Sequence, residues 1–589
     1  MNRLLHHWFA KLRRPGARVR TPARPRRTCL HPEALEDRRL LSTFNVNTLM
    51  DPSISAGVNT TTGAIIGTKF VTLRSAIEAA NATPGNNTIK LTKTGTYKIT
   101  IPGAGEDNNQ TGDFDIFPIP NASSPSRLTI VNTSGGNVAV SGNRLDRVFD
   151  INPNNVTLPA GKFNVVLKGF TVENGIASTG DGPAGSGGGI RDQGNVNLTL
   201  THMVVTNNSA TADGGGVVMF NTDNNSWTLT LNNTVISNNH AGDAGGGIDT
   251  DGTGTVVINK SQIIGNTDIH QGAGIYVDVA AGSSSPLGAD MTMTGTVVSN
   301  NVALAHDVTA SGGGISNAGT GTINILNSTV ENNFSGGMGG GFSDENNNGT
   351  LVVKNSLFLN NSAISDGGAI QEGGHSTTIT NTEFKGNSSG ANGGALFANG
   401  ITLTVQSSTF ANNTASGNGD STGGGGAIEI ETTGTGSAGS TITDTTITDN
   451  RALNNAGANG GGIDVGSGSL ALLHDTINAN FADNGGGIAN FGTLTVSDST
   501  IIGNSAGVNG GGIANESGGT ATVSGSSFSN NSAGVNGGGI ANESGGTATV
   551  SGNSFSNNSA GTDGGGIFNS GMLTQSVNSF TGNSPDDVS

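Results

Sequence analysis

Residues 506 to 531 read AGVNGGGIANESGGTATVSGSSFSNN, and residues 533 to 558 repeat them with Asn553 in place of Ser526, a period of 27 residues. Two neighbouring copies this alike should fold as one stackable unit. Within each copy Gly-Gly-Gly-Ile opens a short apolar stretch, Thr-x-Thr-Val follows, and Phe-Ser-Asn-Asn hands over to the next copy. Alternation bounded by glycine and asparagine turns is the pattern of strands, not of helices.

The same unit recurs upstream as a Gly-Gly or Gly-Ala pair before an apolar residue. The marks fall at Ile190, Val217, Ile248, Ile275, Ile315, Phe342, Ile370, Leu396, Ile428, Ile463, Ile488, Ile513, Ile540 and Ile567, fourteen in all with a mean spacing of 29 residues. Longer intervals, such as Ile275 to Ile315, hold Gly/Ser-rich insertions like Ala280 to Ala289, which belong in loops. A second mark, an apolar residue followed by asparagine, alternates with the first: Val235/Asn238, Val297/Asn300, Phe358/Asn360, Phe384/Asn387, Phe410/Asn412, Ile447/Asn450, Ile477/Asn480, Phe528/Asn530, Phe555/Asn557 and Phe580/Asn583. Stacked coils should place the apolar marks in inward columns and the asparagines in amide ladders at the turns.

Composition agrees with a repeat array in which every coil adds to one continuous core. The 97 glycines against 15 prolines, without a G-X-Y period, exclude collagen. Cys29 is the only cysteine, so no intramolecular disulfide is possible. No apolar run reaches the length of a membrane-spanning helix. The first 41 residues carry 11 of the 26 Lys and Arg, leaving residues 42 to 589 with a formal net charge of −25. A body so acidic should repel nucleic acid and anionic membranes, and the basic head reads as a targeting segment.

The head ends Ala34-Leu35-Glu36-Asp37-Arg38-Arg39-Leu40-Leu41-Ser42. These nine residues resemble the segment found near the start of many planctomycete extracellular proteins, with Asp37 where that family often has proline. The resemblance implies an exported protein whose mature body begins near Ser42. Thr43 to Ile101 reads as an entry module holding the one amphipathic helix of the chain, Thr72 to Asn81, with Thr72 as N-cap and Leu73, Ile77 and Ala80 on one face. The segment is similar to the cysteine-serine-leucine-arginine-glutamate-alanine module that precedes many bacterial β-helices, with Val71 at the cysteine position and Ser75 at the glutamate. The disulfide inferred for that module is therefore impossible here.

Gly393-Gly394-Ala395-Leu396 alternating with Phe384-Lys385-Gly386-Asn387 resembles the repeats of chlamydial-type polymorphic outer membrane proteins and, more broadly, the right-handed, pectate-lyase-like parallel β-helices. The likeness covers roughly residues 128 to 583. It implies an all-β, right-handed single-stranded parallel β-helix of roughly 14 or more coils, on the order of 70 Å long at about 4.8 Å per strand. The expected organisation is a targeting segment (1–42), a capping module (43–127) and the β-helix (128–589). The chain stops at Ser589 without the alternating barrel strands of those membrane proteins, so self-export is not expected.

The positions after the glycine mark carry acids: Asp192 (beside Arg191), Asp249 and Asp251, Asp278, Asp344 and Glu345, Glu372, Glu429 and Glu431, Asp464, Glu516 and Glu543. Stacking should line them along one face. That face is either a solvated stripe that keeps the molecule soluble or a groove with paired carboxylates for glycoside hydrolysis. The catalytic candidates are Asp249, Asp251, Glu429 and Glu431. Asp213, Asp366 and Asp563, just before the glycines, are turn-formers or, alternatively, calcium ligands; calcium is the one cofactor considered. The basic residues from 190 onward (Arg191, Lys260, Lys354, Lys385, Arg451) and the histidines are scattered singly, and Asn221-Thr222-Asp223 and Asn266-Thr267-Asp268 stand without the other motifs of a polygalacturonase-like site. Two function classes remain open. One is an exported surface or extracellular structural or adhesin-like protein that binds polysaccharide or other cell-surface components. The other is a polysaccharide lyase or glycoside hydrolase on the same scaffold.

Overall fold

The fourteen glycine-mark residues form one column. Ile190, Val217, Ile248, Ile275 and Ile315 pair in parallel register, and the column runs on through Phe342, Ile370, Leu396, Ile428, Ile463, Ile488, Ile513, Ile540 and Ile567. The register survives the insertion between Ile275 and Ile315. A slip of one residue would turn the whole column out of the core, so each coil is held to its neighbour's register by burial. The computed structural model describes residues 41–589 except 119–125, 157–162, 180–184, 195, 221–225, 280–287, 306–309, 345–348, 375, 418–423, 432–438 and 454–456. The basic segment 1–40, the tripeptide Asn221-Thr222-Asp223, His306, Glu345 and His375 lie outside the described residues.

One coil gives the path. Ile248–Asp251 lies in a 16-stranded sheet and Gly254–Asn259 in an 18-stranded one. Gln262–Ile264 lies in a third sheet, and Thr267–Asp268 in a 14-stranded one, before Ile275–Asp278 opens the next coil. Pairing from coil to coil is parallel in all four sheets, which makes the chain a parallel β-helix. Inward residues form continuous columns. In the third sheet Val330 is followed by Phe358, Phe384 and Phe410, whose rings stack with centroids 5.0 and 4.6 Å apart. Phe528, Phe555 and Phe580 repeat the arrangement at 4.8 and 5.1 Å. Burying each such ring contributes roughly 1.5–3 kcal/mol.

The asparagine marks divide into two kinds. One ladder runs through the core side of the turn from Asn208 to Asn583. At each rung the backbone N–H and Nδ2 of one asparagine donate to the Oδ1 of the next. Asn361 does so to Asn387 at 2.9 and 3.1 Å, and Asn387 to Asn413 at 3.0 Å for both. The second amide hydrogen goes to a strand carbonyl, Asn387 Nδ2 to Phe358 at 3.0 Å. Asn387, Asn450, Asn480 and Asn583 of the expected marks are rungs. Asn238, Asn300, Asn360, Asn412, Asn530 and Asn557 are instead the residues just before a rung, with φ between 52° and 57°, where asparagine tolerates the left-handed region. In an Asn-Asn pair the first bends the chain and the second bonds along the axis.

The helix α1 (Leu73–Asn81) has Thr72 as its cap: Ser75 N–H donates to Thr72 Oγ1 at 3.0 Å, and Thr72 N–H to Ser75 Oγ at 2.9 Å. Leu73, Ile77 and Ala80 are buried as expected. Arg74 is buried too. Its guanidinium donates to Asp51 Oδ1 at 2.8 Å and to the carbonyls of Gly112 and Asp113 at 2.7 and 2.9 Å, which ties the helix to the first coils. The pairing runs straight through the boundary expected at 127/128, since Leu41–Val46 pairs with Asn86–Leu91, which pairs with Ser126–Asn132 and so on to Phe163–Lys168.

Removing one rung leaves two donors of the preceding coil without an acceptor. Asn387→Ala is therefore expected to lower the local opening free energy of the coils holding Asn361 and Asn413 by about 2–4 kcal/mol, read by native-state hydrogen exchange. Asn360→Gly, at a left-handed turn, should change it by less than about 0.5 kcal/mol.

Candidate functional site: the acidic columns of the 16-stranded sheet

The acids after the glycine mark do not share one solvated face. Side chains alternate across a strand, so counting from the inward Ile the next residue faces outward and the one after faces in again. Met219, Val277, Ile430 and Val465, two residues on, belong to the main apolar core, whereas Val218, Tyr276 and Phe397, one residue on, do not. By the same parity Asp192, Asp344 and Glu372 point into the core, Asp249, Glu429 and Asp464 point outward, and Asp251, Asp278, Glu431, Glu516 and Glu543 follow at the strand end. The reading of a solvated stripe is corrected by burial: Asp249 is 1%, Glu429 3%, Asp464 4% and Glu372 0% exposed.

The outward acids are buried by their own turn. The glycine three residues before each mark has positive φ, 64° at Gly245 and 62° at Gly425, and folds back onto the residue four positions later, Asp249 and Glu429. A Cβ on Gly245 would strike Asp249, so the glycine is required both for its backbone and for its lack of a side chain. At Gly424 a Cβ would collide with Glu429 Oε2 and Asp464 Oδ2 together, which places these two carboxyls, from register-paired strand residues, against one point.

Asp249 Oδ1, Glu429 Oε2 and Asp464 Oδ1 have no hydrogen-bond partner, and among the described residues no lysine or arginine pairs with them. Burial, then the adjacent Asp251, pushes Asp249 well above the usual carboxylate range; burial and Asp464 do the same to Glu429. Asp464 is pushed up to about 8 by burial, with Glu516 and Glu431 adding repulsion. Asp251 is raised by burial and Asp278, and Glu431 by burial and Asp366. Burial thus makes Asp249, Glu429 and Asp464 hold a proton more tightly than an exposed carboxyl and closes them off from a bulky substrate.

The turn acids behave differently. Asp213 Oδ1 accepts from Ala244 N–H at 3.3 Å, and Asp366 Oδ1 from Asn392 N–H at 3.0 Å, while Asn392 Oδ1 accepts in turn from Gly424 N–H at 3.0 Å. Each uses its oxygen on the next coil's backbone. Asp563 is exposed, and its carbonyl accepts from Gly537 N–H at 3.0 Å. His270 and Asp243 pair at 2.7 Å on the surface, and His474 lies 3.7 Å from Asp444.

Sequence reasoning missed a charged network at the first coils, where Asp115, Asp150 and Arg191 are register partners on successive strands of the same sheet. Arg147 Nη1 donates to Asp113 Oδ2 at 3.0 Å and to Asp150 Oδ2 at 3.2 Å, and Arg191 Nε donates to Asp150 Oδ1 at 3.1 Å. Asp113 and Asp150 lie before the first glycine mark, outside the repeat that carries the other acids. The available signal was the repeated Phe-Asp-Ile at 114–116 and 149–151.

Residues 355–371 and 554–570 match the Chlamydia polymorphic membrane protein repeat. Each match spans the same half-coil, from the third sheet (Phe358, Phe555) past the ladder asparagine (Asn361, Asn558) to the glycine mark (Ile370, Ile567). No curated protein matches the chain. Among solved structures it is similar to a mannuronic acid specific polysaccharide family 6 lyase enzyme from human gut microbiota, at 11% identity and a TM-score of 0.24 over 72% of this chain and 85% of that one.

Stability is expected to fall as pH rises. A carboxyl whose folded pKa is raised favours the folded state fully below the unfolded pKa near 4, and loses that contribution as pH climbs through the folded value, about 8 for Asp464. The Glu429→Gln/Asp464→Asn double variant should therefore match the native chain at pH 4 and exceed it at pH 8 by about 1–3 kcal/mol, measured by denaturation at the two pH values.

Proposed function

We propose that the chain is an exported surface or extracellular protein of structural or adhesin-like type, whose 18-stranded sheet presents a periodic hydroxyl face to neutral polysaccharide or other cell-surface components. The observation that carries this reading is the outer column of that sheet. Thr378, Thr404 and Thr441 are register partners on successive strands, as are Thr495, Thr522 and Thr549 further along. They are exposed or half-buried, and a second threonine column (Thr493, Thr520, Thr547) runs beside them. Threonine loses little rotamer freedom, and strands about 4.8 Å apart hold the hydroxyls in a regular array, so a repetitive ligand gains many weak contacts at small ordering cost. The match to a surface membrane-protein repeat supports display, and the head that resembles an export segment supports delivery. Burial of Asp249 and Glu429 beneath glycine turns argues against bond cleavage at the acidic columns.

The Thr378→Lys/Thr404→Lys/Thr441→Lys variant should keep the thermal midpoint within a few degrees and lose at least tenfold in binding to a polysaccharide array and to intact cells. Cleaved products that disappear in a Glu429→Gln/Glu431→Gln variant would replace this reading with that of a lyase or hydrolase.

A further inference from the structure

Asp107, Asp115 and Asp150 each offer a carboxylate oxygen, and the three oxygens lie within 4.8 Å of one another. In-register parallel stacking forces the juxtaposition, because Asp115 and Asp150 are partners on adjacent strands and cannot move apart without breaking the ladder. Two carboxyl groups opposed in this way destabilise a sheet unless a proton or a cation sits between them. Arg147 and Arg191 supply part of the compensation, but four carboxyl groups (Asp107, Asp113, Asp146 and Asp150) already gather around those two guanidinium groups. Both arginines bond Asp150. No arginine or lysine bonds Asp115 among the described residues; its Oδ2 accepts from Asn109 N–H at 2.6 Å.

Two buried acceptors on this hydrogen-bonded pair of residues are unused. Asp115 Oδ1 has no partner on a residue that is 0% exposed, and Asn109 Oδ1, on the residue that bonds Asp115, has none either. A buried acceptor without a donor costs about 1–3 kcal/mol, so two in contact residues mark a place where a donor or a cation belongs. Every available group is a carboxylate or amide oxygen, with no histidine or cysteine in the cluster, which is the ligand set of a hard cation. An ion centred among three oxygens at the 4.8 Å limit lies about 2.8 Å from each, so small side-chain movements reach the 2.3–2.6 Å of calcium sooner than the 2.0–2.1 Å of magnesium. Asp107, with 36% of its side chain exposed, leaves an approach from solvent.

The geometry points to a calcium site formed by Asp107, Asp115 and Asp150 that locks the helix cap to the first coils. The site lies between strands of successive coils, and α1 reaches the same segment through Arg74 and through Asn109 Nδ2, which donates to the Arg74 carbonyl at 3.1 Å. A cation there would fasten the end of the β-helix at which fraying would otherwise begin. It differs from the turn acids Asp213 and Asp366, each of which spends Oδ1 on a backbone N–H of the next coil.

The test is calorimetric titration of the full, EDTA-treated chain with calcium chloride, paired with thermal unfolding at each concentration. One calcium per chain and a thermal midpoint that rises with calcium are expected for the native sequence. Asp115→Asn should weaken binding at least tenfold and abolish the rise, and Asp107→Asn, at a partly exposed position that folding should tolerate, should do the same in milder form. Asp563→Asn should change neither. The inference is overturned if the native chain takes up none of calcium, magnesium or manganese, or if Asp107→Asn binds and responds like the native chain. It is also overturned if the calcium response is lost in Asp213→Asn/Asp366→Asn while both cluster variants keep it.

Discussion

From Asn208 to Asn583 each coil of this β-helix depends on a polar group that the next coil supplies. At each turn an asparagine enters the interior, where an amide without partners would be costly, and its oxygen is satisfied only by the backbone and side-chain donors of the preceding coil. The arrangement is cooperative along the axis. A rung out of register leaves its own donors and its neighbour's acceptor unpaired at once. The ladder fixes register at the turn and the Ile and Phe columns fix it in the strands. Together these explain how insertions such as the one between Ile275 and Ile315 are accommodated without shifting either column.

The same stacking makes charge expensive. A residue type repeated at one place in the coil meets its own kind about 4.8 Å away, which suits amides, hydroxyls and rings but not carboxylates. The chain accommodates its acids in three ways. Asp213 and Asp366 cap backbone donors of the next coil. Glu429 and Asp464 are buried under glycine turns, where burial raises their pKa and favours the uncharged form. Asp150 is bridged by two arginines. Asn490, Asn515 and Asn542 show the unstrained solution at the inward position two residues after the mark, with amide bonds of 2.7 and 2.8 Å from coil to coil.

Much of the fold was legible because its signals are local and repeated. A glycine pair before an isoleucine marks the same turn wherever it occurs, and Thr72 caps α1 through the neighbouring Ser75. What escaped the sequence depends on parity or on long-range approach. Asp344, Asp464 and Asp251 read as one stripe because they share a neighbourhood after the mark, yet one residue of offset decides whether a side chain meets core, turn or strand end. Asn360 and Asn361 differ by a single position and do different jobs. Arg74, Arg147 and Arg191 could not be linked to Asp51, Asp113 and Asp150 from spacing, because those contacts join residues 23 to 41 positions apart across coils.

If coils are interchangeable units held by register, one can be removed whole. Deleting residues 506–532, a full 27-residue period, joins Ser505 to Ala533 and puts Asn531's partner Asn558 in reach of Asn504. Thermal unfolding followed by far-ultraviolet circular dichroism is the measurement that tests this most directly. Interchangeable coils predict a cooperative transition within a few degrees of the native chain and the same strand signal per residue. Loss of the strand signal, or a transition that breaks into separate steps, would contradict it.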